Sequence, residues 1–116
     1  MNKMKPLLFI TLLAPLSAYA AESAHQDHAQ QSGARQSYHS GMTKMHDDMM
    51  QGIKTDDPDI AFAQGMTAHH QGAIEMAKTE LKYGKDPAMR KLAQEIIDAQ
   101  QPEIDRMQQW LKQQNK

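Results

Sequence analysis

The segment from Asp57 to Gly84 predicts the architecture of the chain, and it reads DPDIAFAQGMTAHHQGAIEMAKTELKYG. Aspartate is a favoured helix N-cap, proline fits the first helical turn, and glycine commonly follows the last turn. These signals predict one helix that starts near Asp57 and ends at Gly84. Apolar and small residues recur along it at helical spacing and predict an inner face. We assign to this face Phe62, Ala63, Met66, His69, His70, Ala73, Ala77 and Leu81, with Met76 on its margin.

Two further helices are predicted on either side of this one. The first runs from about Ser40, a good N-cap, to Gly52, a good stop. The third starts at Asp86-Pro87 by the same capping logic and continues towards Gln113. Because Pro102 removes a backbone donor inside it, a kink or break is expected there. The apolar stripe of the third helix comprises Met89, Leu92, Ala93, Ile96, Gln100, Ile104, Met107 and Leu111.

These helices predict an all-α fold. No strand pattern competes with them, and short connections make neighbouring helices antiparallel. The expected architecture is a small antiparallel helical bundle of three helices. A fourth helix would follow if part of the N-terminal segment folds or if another subunit contributes.

The first twenty residues are typical of a secretory signal peptide. Lys3 and Lys5 form its positive region, residues 7–16 form a short apolar stretch, and Ala18-Tyr19-Ala20 supplies a small-x-small cleavage site. We therefore expect cleavage after Ala20 and a periplasmic mature protein. Residues 21–36 are nearly free of apolar side chains and predict a polar, disordered tail. The predicted helical-bundle domain then spans residues 37–116.

Composition excludes several classes of function. Removal of Lys3 and Lys5 leaves 11 basic and 14 acidic residues, so no basic surface for nucleic acid is expected. The absence of cysteine excludes disulfides, thiolate metal sites and cysteine-based catalysis. The chain has ten methionines and six histidines but only two phenylalanines and one tryptophan. Methionine specifies core packing poorly, which suggests that the thioethers have a second use.

Two short clusters mix methionine with histidine. Met42, Met45, His46 and Met49 lie at helical spacing on one face of the first helix, flanked by Met50, and Met66, His69 and His70 form a similar cluster on the second. Thioether sulfur and imidazole nitrogen suit soft cations, whereas zinc prefers Cys, His and carboxylate. Copper is therefore the predicted ligand, with Cu(I) favoured and Cu(II) or Ag(I) as alternatives. Plain core packing of the methionine stripe is the competing interpretation.

The segment from Phe62 to Leu111 resembles a known family. The string FAQGMTAHHQGAIEMA at residues 62–77 is its most specific part, and Met45-His46 and Met49-Met50 also resemble the family pattern. The family is domain of unknown function 305 (DUF305), small exported proteins with a ferritin-like helical bundle. Its members, the CopM-type proteins among them, are implicated in periplasmic copper binding and copper tolerance.

That resemblance implies a set of metal ligands in this chain. By position they are Met42, Met45, His46, Met49, Met66, His69, His70 and Met76. Thr67-Ala68 stands where the family often has Ile-Pro, which should straighten the second helix, and Pro102 stands where a helix-compatible residue is usual. Neither departure removes a candidate ligand.

The predicted function is therefore non-enzymatic. The protein is expected to sequester or buffer copper, or to hand it to a copper-accepting or copper-exporting periplasmic protein, and to contribute to copper tolerance. Three alternatives stay open: a ferritin-like metalloenzyme, a haem bundle with axial ligands from the histidine pair and Met107, and a bundle whose methionine-rich groove binds a partner helix. A homo-oligomer is compatible with each.

Overall fold

The computed structural model describes the backbone of residues 17–114 and the side chains from residue 28 onward. It contains three helices, α1 (Ser17–Gly52), α2 (Pro58–Tyr83) and α3 (Pro87–Gln114), and no strand among these residues. The predicted all-α fold is confirmed. The first sixteen residues of the predicted signal peptide lie outside the described residues, so that prediction stands as it was made.

Helix α1 is much longer than predicted. It begins at Ser17 and not near Ser40, so its backbone is helical through the stretch that composition assigned to a disordered tail. Contacts with the end of α2 account for this extension from Gly33 onward. The ring of Tyr83 lies over Gly33, and the hydroxyls of Ser37 and Thr79 are hydrogen-bonded at 2.7 Å. Composition alone could not show these contacts, because they join residues far apart in the chain.

The boundaries of α2 agree with the prediction. The side chain of Asp57 accepts hydrogen bonds from the backbone N–H groups of Asp59 and Ile60, at 2.9 and 3.2 Å. Pro58 occupies the first turn, and Gly84 caps the C-terminal end with its N–H bonded to the carbonyl oxygen of Glu80. The local capping signals of the sequence therefore determine where the central helix starts and stops.

Loss of the Asp57 cap should lower stability. We expect Asp57→Ala to reduce the free energy of unfolding by about 1 kcal/mol, because two backbone donors lose their acceptor. Asp56→Ala is the matched control, because Asp56 is exposed next to the cap and lies outside α2. This substitution should change the free energy of unfolding by no more than about 0.5 kcal/mol. Thermal or urea unfolding measures both variants. Equal destabilisation by the two would show that charge, and not capping, explains the effect.

Helix α3 starts as predicted but continues through Pro102. Asp86 Oδ1 accepts the N–H of Met89 at 2.9 Å, and the helix then runs without a break to Gln114, with Pro102 inside it. The predicted break is therefore wrong. Pro102 costs the helix one hydrogen bond and crowds the carbonyl group one turn earlier, but it is exposed, and the buried Ala93 and Ile104 on either side hold the helix against its neighbour.

Helix α2 is the central helix of the bundle. Helices α1 and α3 each pack against it, both antiparallel, and they do not pack against each other. The predicted inner face of α2 was wrong in part, since Phe62 is 63% exposed and His69 is also exposed. Because α2 has two neighbours, it needs two packing faces. Its buried residues are mostly small: Ala63, Gly65, Thr67, Ala68, Gly72, Ile74, Ala77 and Thr79.

Candidate metal centre

Two close contacts set the pairing of α1 with α2. Ser37 is hydrogen-bonded to Thr79, and the side chain of Met45 lies directly over Gly72. A Cβ atom built on Gly72 would fall 2.3 Å from the sulfur of Met45, so no larger residue fits there without a shift. The two helices therefore approach closely, in a register that is determined by small residues of α2.

That register brings the other thioether and imidazole side chains of the two helices to similar levels, that is, to similar heights along the helix axes. Counted from the Met45–Gly72 contact, Met42 lies close to the level of Met76. His46 and Met49 lie on either side of the level of His69 by the same count. The ligand candidates on α1 thus lie beside those on α2 rather than at opposite ends of the bundle.

The two sides of the α1–α2 interface differ in chemistry. A cavity on one side is lined by polar residues that include Lys44, Asp48 and Glu75, and Lys44 and Asp48 form an ion pair. A helix turns by about 100° per residue, which puts the methionine and histidine side chains on the opposite side of both helices. We call this side the methionine groove, and it is formed by Met42, His46, Met49, His69 and Met76. Met45 lies over Gly72 at the base of the groove and also lines the polar cavity on the other side.

Tyr38 and Glu80 support this assignment of sides. Tyr38 precedes Met42 by one helical turn, and Glu80 follows Met76 by one turn. Burial and the nearby carboxylate of Glu80 raise the pKa of the Tyr38 phenol. The two side chains must therefore be close in space, as expected if the methionine sides of α1 and α2 face one another.

The methionines do not fill the core. None of the eight methionines with described side chains is buried, and Met42, Met50 and Met76 are 46%, 48% and 42% exposed. The buried apolar residues are alanine and isoleucine: Ala63, Ala68, Ile74, Ala77, Ala93 and Ile104. The core-packing interpretation therefore explains Met45, which contacts Gly72, but leaves the exposed thioethers without a packing role.

The adjacent histidines point to different helices. His70 contacts α3, where its Nε2 is hydrogen-bonded to Oε2 of Glu103. His69 is exposed, on the side of α2 that contributes to the methionine groove. Their ring centroids are 6.0 Å apart, in an edge-on arrangement. The structure therefore gives His70 a partner on α3, whereas His69 is exposed, and the predicted grouping of both with Met66 around one ion stays a prediction.

Met66 and His70 line a second recess, between α2 and α3. This cavity has a volume of about 620 Å³, and its lining mixes thioethers, aromatic rings and charged groups. The lining residues are Asp59, Phe62, Ala63, Met66, His70, Glu103, Arg106, Met107 and Trp110. Met50 belongs to neither recess by helical position, since it lies on the side of α1 that turns away from α2.

A sequence profile of the family described as Domain of unknown function (DUF305) matches residues 10–111, which is most of the chain. The chain belongs to the DUF305 family. Residues from all three helices, and therefore both recesses, fall within the matched range. The resemblance predicted from the methionine and histidine motifs is thus confirmed at the level of the family.

This DUF305 protein is also similar to a viral protein, "Uncharacterized protein L153" of Acanthamoeba polyphaga mimivirus. The two are 43% identical over 49 residues, which cover 42% of this chain and 32% of the viral protein. The chain thus aligns with about a third of that relative, whose name states no activity.

The candidate metal donors of this DUF305 protein combine thioether sulfur with imidazole nitrogen. Among the residues with described side chains, no group of three or more His, Asp or Glu is placed to hold a metal ion. Sequence analysis also missed the pairing of Glu103 with His70. The available signal was the matching i, i+4 spacing of Met66 and His70 on α2 and of Glu103 and Met107 on α3.

Proposed function

We propose that this protein binds copper, preferentially Cu(I), in the methionine groove. Cu(II) and Ag(I) are the alternative ions. The observation that carries the proposal is the exposure of Met42 and Met76 at similar levels of one groove, with His46 and His69 one to two helical turns further along it. Exposed thioethers contribute little to packing, and their alignment on facing helices suits a shared ligand.

The donor chemistry supports a soft ion. Thioether sulfur is a poor ligand for calcium and magnesium, whereas Cu(I) and Ag(I) accept it together with imidazole nitrogen. The chain has no cysteine, so these sites lack the thiolates that hold copper most tightly. The expected affinity is moderate and the ion is exchangeable, which favours buffering, sequestration or transfer over permanent storage.

Exposure of the ligands also favours transfer. A copper-accepting or copper-exporting protein can reach Met42 and Met76 without opening the bundle, because both side chains are at the surface. The N-terminal signal motif supports a periplasmic location, and copper binding there would contribute to copper tolerance. No helix within the described residues has the length and hydropathy of a membrane span.

A second candidate function is the binding of a partner protein through an apolar surface. At the α1–α2 connection, Ile53 and Phe62 are 51% and 63% exposed, and Met50 lies one turn before Ile53. Solvent-exposed apolar side chains near one another are typical of protein contacts. Such binding would persist after removal of metal, which distinguishes it from copper-dependent docking.

Metal selectivity tests the proposed function. The mature protein is exposed anaerobically to equimolar Cu(I), Ag(I), Zn(II) and Fe(II), desalted and subjected to elemental analysis. We expect it to retain copper and silver and to lose zinc and iron. Preferential retention of zinc or iron, or of no metal, would contradict the proposal.

The metal-free protein should already be folded. Its core of alanine and isoleucine contains none of the groove ligands. Circular dichroism should therefore show a helical spectrum before copper is added. At a hundredfold excess of free Cu(I) over the dissociation constant, the unfolding free energy should rise by about 2.7 kcal/mol per site. A coil spectrum that becomes helical only with copper would refute this expectation.

A further inference from the structure

The imidazole of His70 is held in one orientation at the α2–α3 interface. Its side chain is only 12% exposed, and its Nε2 is hydrogen-bonded to the carboxylate of Glu103. An ionised carboxylate can only accept, so Nε2 carries the proton. In the neutral imidazole this arrangement leaves Nδ1 with a free lone pair.

That Nδ1 atom is buried and has no hydrogen-bond partner among the described residues. A buried polar atom without a partner is rare and unfavourable, and an ion or an ordered water commonly explains it. A carboxylate bound to one imidazole nitrogen while the other nitrogen is free is also the usual arrangement of a metal-binding histidine. The Glu103–His70 pair therefore prepares Nδ1 to bind a cation.

Two thioethers line the same cavity as the side chain of His70. Met66 lies one turn before His70 on α2, and Met107 lies one turn after Glu103 on α3. Because the helices are antiparallel and His70 pairs with Glu103, the two methionines are at the same level. Helical side chains lean towards the N-terminus of their own helix, which brings Met107 towards His70 and His70 towards Met66.

We propose that this recess is a second soft-metal site, separate from the methionine groove. Nδ1 of His70 and the sulfurs of Met66 and Met107 bind one monovalent ion of the Cu(I) or Ag(I) class. Glu103 is a positioning residue that holds the ring and its tautomer and does not contact the ion. Helix α1 contributes nothing to this site, so its occupancy is independent of Met42, Met49 and Met76.

Silver is the probe for this site, because Ag(I) shares the coordination chemistry of Cu(I) and is diamagnetic. The inference rests on the proposed function for the class of ion, and the experiment therefore starts from a variant that keeps Met45 but lacks the three groove thioethers, Met42→Leu/Met49→Leu/Met76→Leu. Long-range proton–nitrogen NMR spectra of this protein, labelled with ¹⁵N, are recorded with and without Ag(I). We expect the Nδ1 resonance of His70 to shift while Nε2 stays protonated.

Substitutions in the recess then identify the ligands. Met66→Leu/Met107→Leu, made in the groove variant, should abolish the silver-dependent shift of the His70 Nδ1 resonance, whereas Met89→Leu should not, since Met89 lies outside both recesses. Glu103→Ala should weaken silver binding by about 10–100-fold. Glu103→Gln should restore part of the loss, because its amide oxygen can still accept the Nε2 proton of His70. Circular dichroism confirms that each variant is folded.

The outcomes separate the two proposals. If the unsubstituted protein binds neither Cu(I) nor Ag(I), both proposals are wrong. If it binds silver but the His70 Nδ1 resonance does not respond, the second site is wrong and the methionine groove stands. An unchanged silver-dependent shift in Met66→Leu/Met107→Leu would likewise show that the two methionines are not ligands of this site.

Discussion

Leucine at positions 42, 49 and 76 is expected to remove copper from the methionine groove while the bundle stays folded. Met42 and Met76 are more than two-fifths exposed, so their packing contribution is small. Leucine for methionine conserves volume and usually costs less than about 1.5 kcal/mol even in a packed core. Loss of a residue that merely orients a metal ligand weakens affinity by about 10–100-fold, and loss of three ligands should exceed that range.

The measurement is a competition titration with a chromogenic Cu(I) chelator, together with thermal unfolding of the metal-free protein. Met89→Leu is the matched control, because Met89 is equally exposed but lies on α3. Met45 is left unchanged, since its contact with Gly72 would mix packing with ligand loss. If the triple variant binds Cu(I) in the groove as tightly as the parent does, the exposed methionines are not ligands, and the proposed function loses its main support.

A methyl group added at Gly72 is expected to destabilise the pairing of α1 with α2. The new Cβ would lie 2.3 to 2.8 Å from three side-chain atoms of Met45, including its Cβ, which is attached to the α1 backbone. Rotation of the thioether alone cannot remove that overlap, so the helices must separate locally. Overpacking of this kind typically costs about 1–3 kcal/mol.

Gly41→Ala isolates this packing effect from helix propensity. Gly41 also lies inside a helix, but a Cβ there would meet nothing within 4 Å. Both substitutions gain the intrinsic preference of alanine for helix, about 1 kcal/mol, so the difference between the two variants reports the overlap at Gly72. We expect Gly72→Ala to be less stable than Gly41→Ala by about 1–3 kcal/mol, measured by urea unfolding. Equal stabilities would show that α1 does not pack against Gly72.

Gly72 also connects the fold to the proposed function. Met45 lies over Gly72 at the base of the methionine groove, so displacement of Met45 should change the spacing of the groove. Gly72→Ala should therefore weaken Cu(I) binding although it removes no ligand. Gly41→Ala, which leaves the interface unchanged, should bind copper like the parent.

Local signals in the sequence determined the helix boundaries of α2 and α3. Asp57-Pro58, Gly84 and Asp86-Pro87 act on backbone groups within four residues of themselves, so their effect does not depend on the rest of the fold. The sequence also showed which metal donors the protein can offer. A chain rich in methionine and histidine and without cysteine supplies thioether, imidazole and oxygen ligands. The family followed from the same residues.

Only the tertiary structure decided which of these donors lie together. Helical periodicity describes one helix, and it could not show that α2 has two neighbours and therefore two faces. His69 and His70 are adjacent in sequence, yet one lies on the side of α1 and the other contacts Glu103 on α3. The contacts of α1 with α2 at Gly33 and at Met45 likewise join residues far apart in the chain. Local free energies select helices, but the fit of small residues between helices selects their partners and so decides which ligands can share an ion.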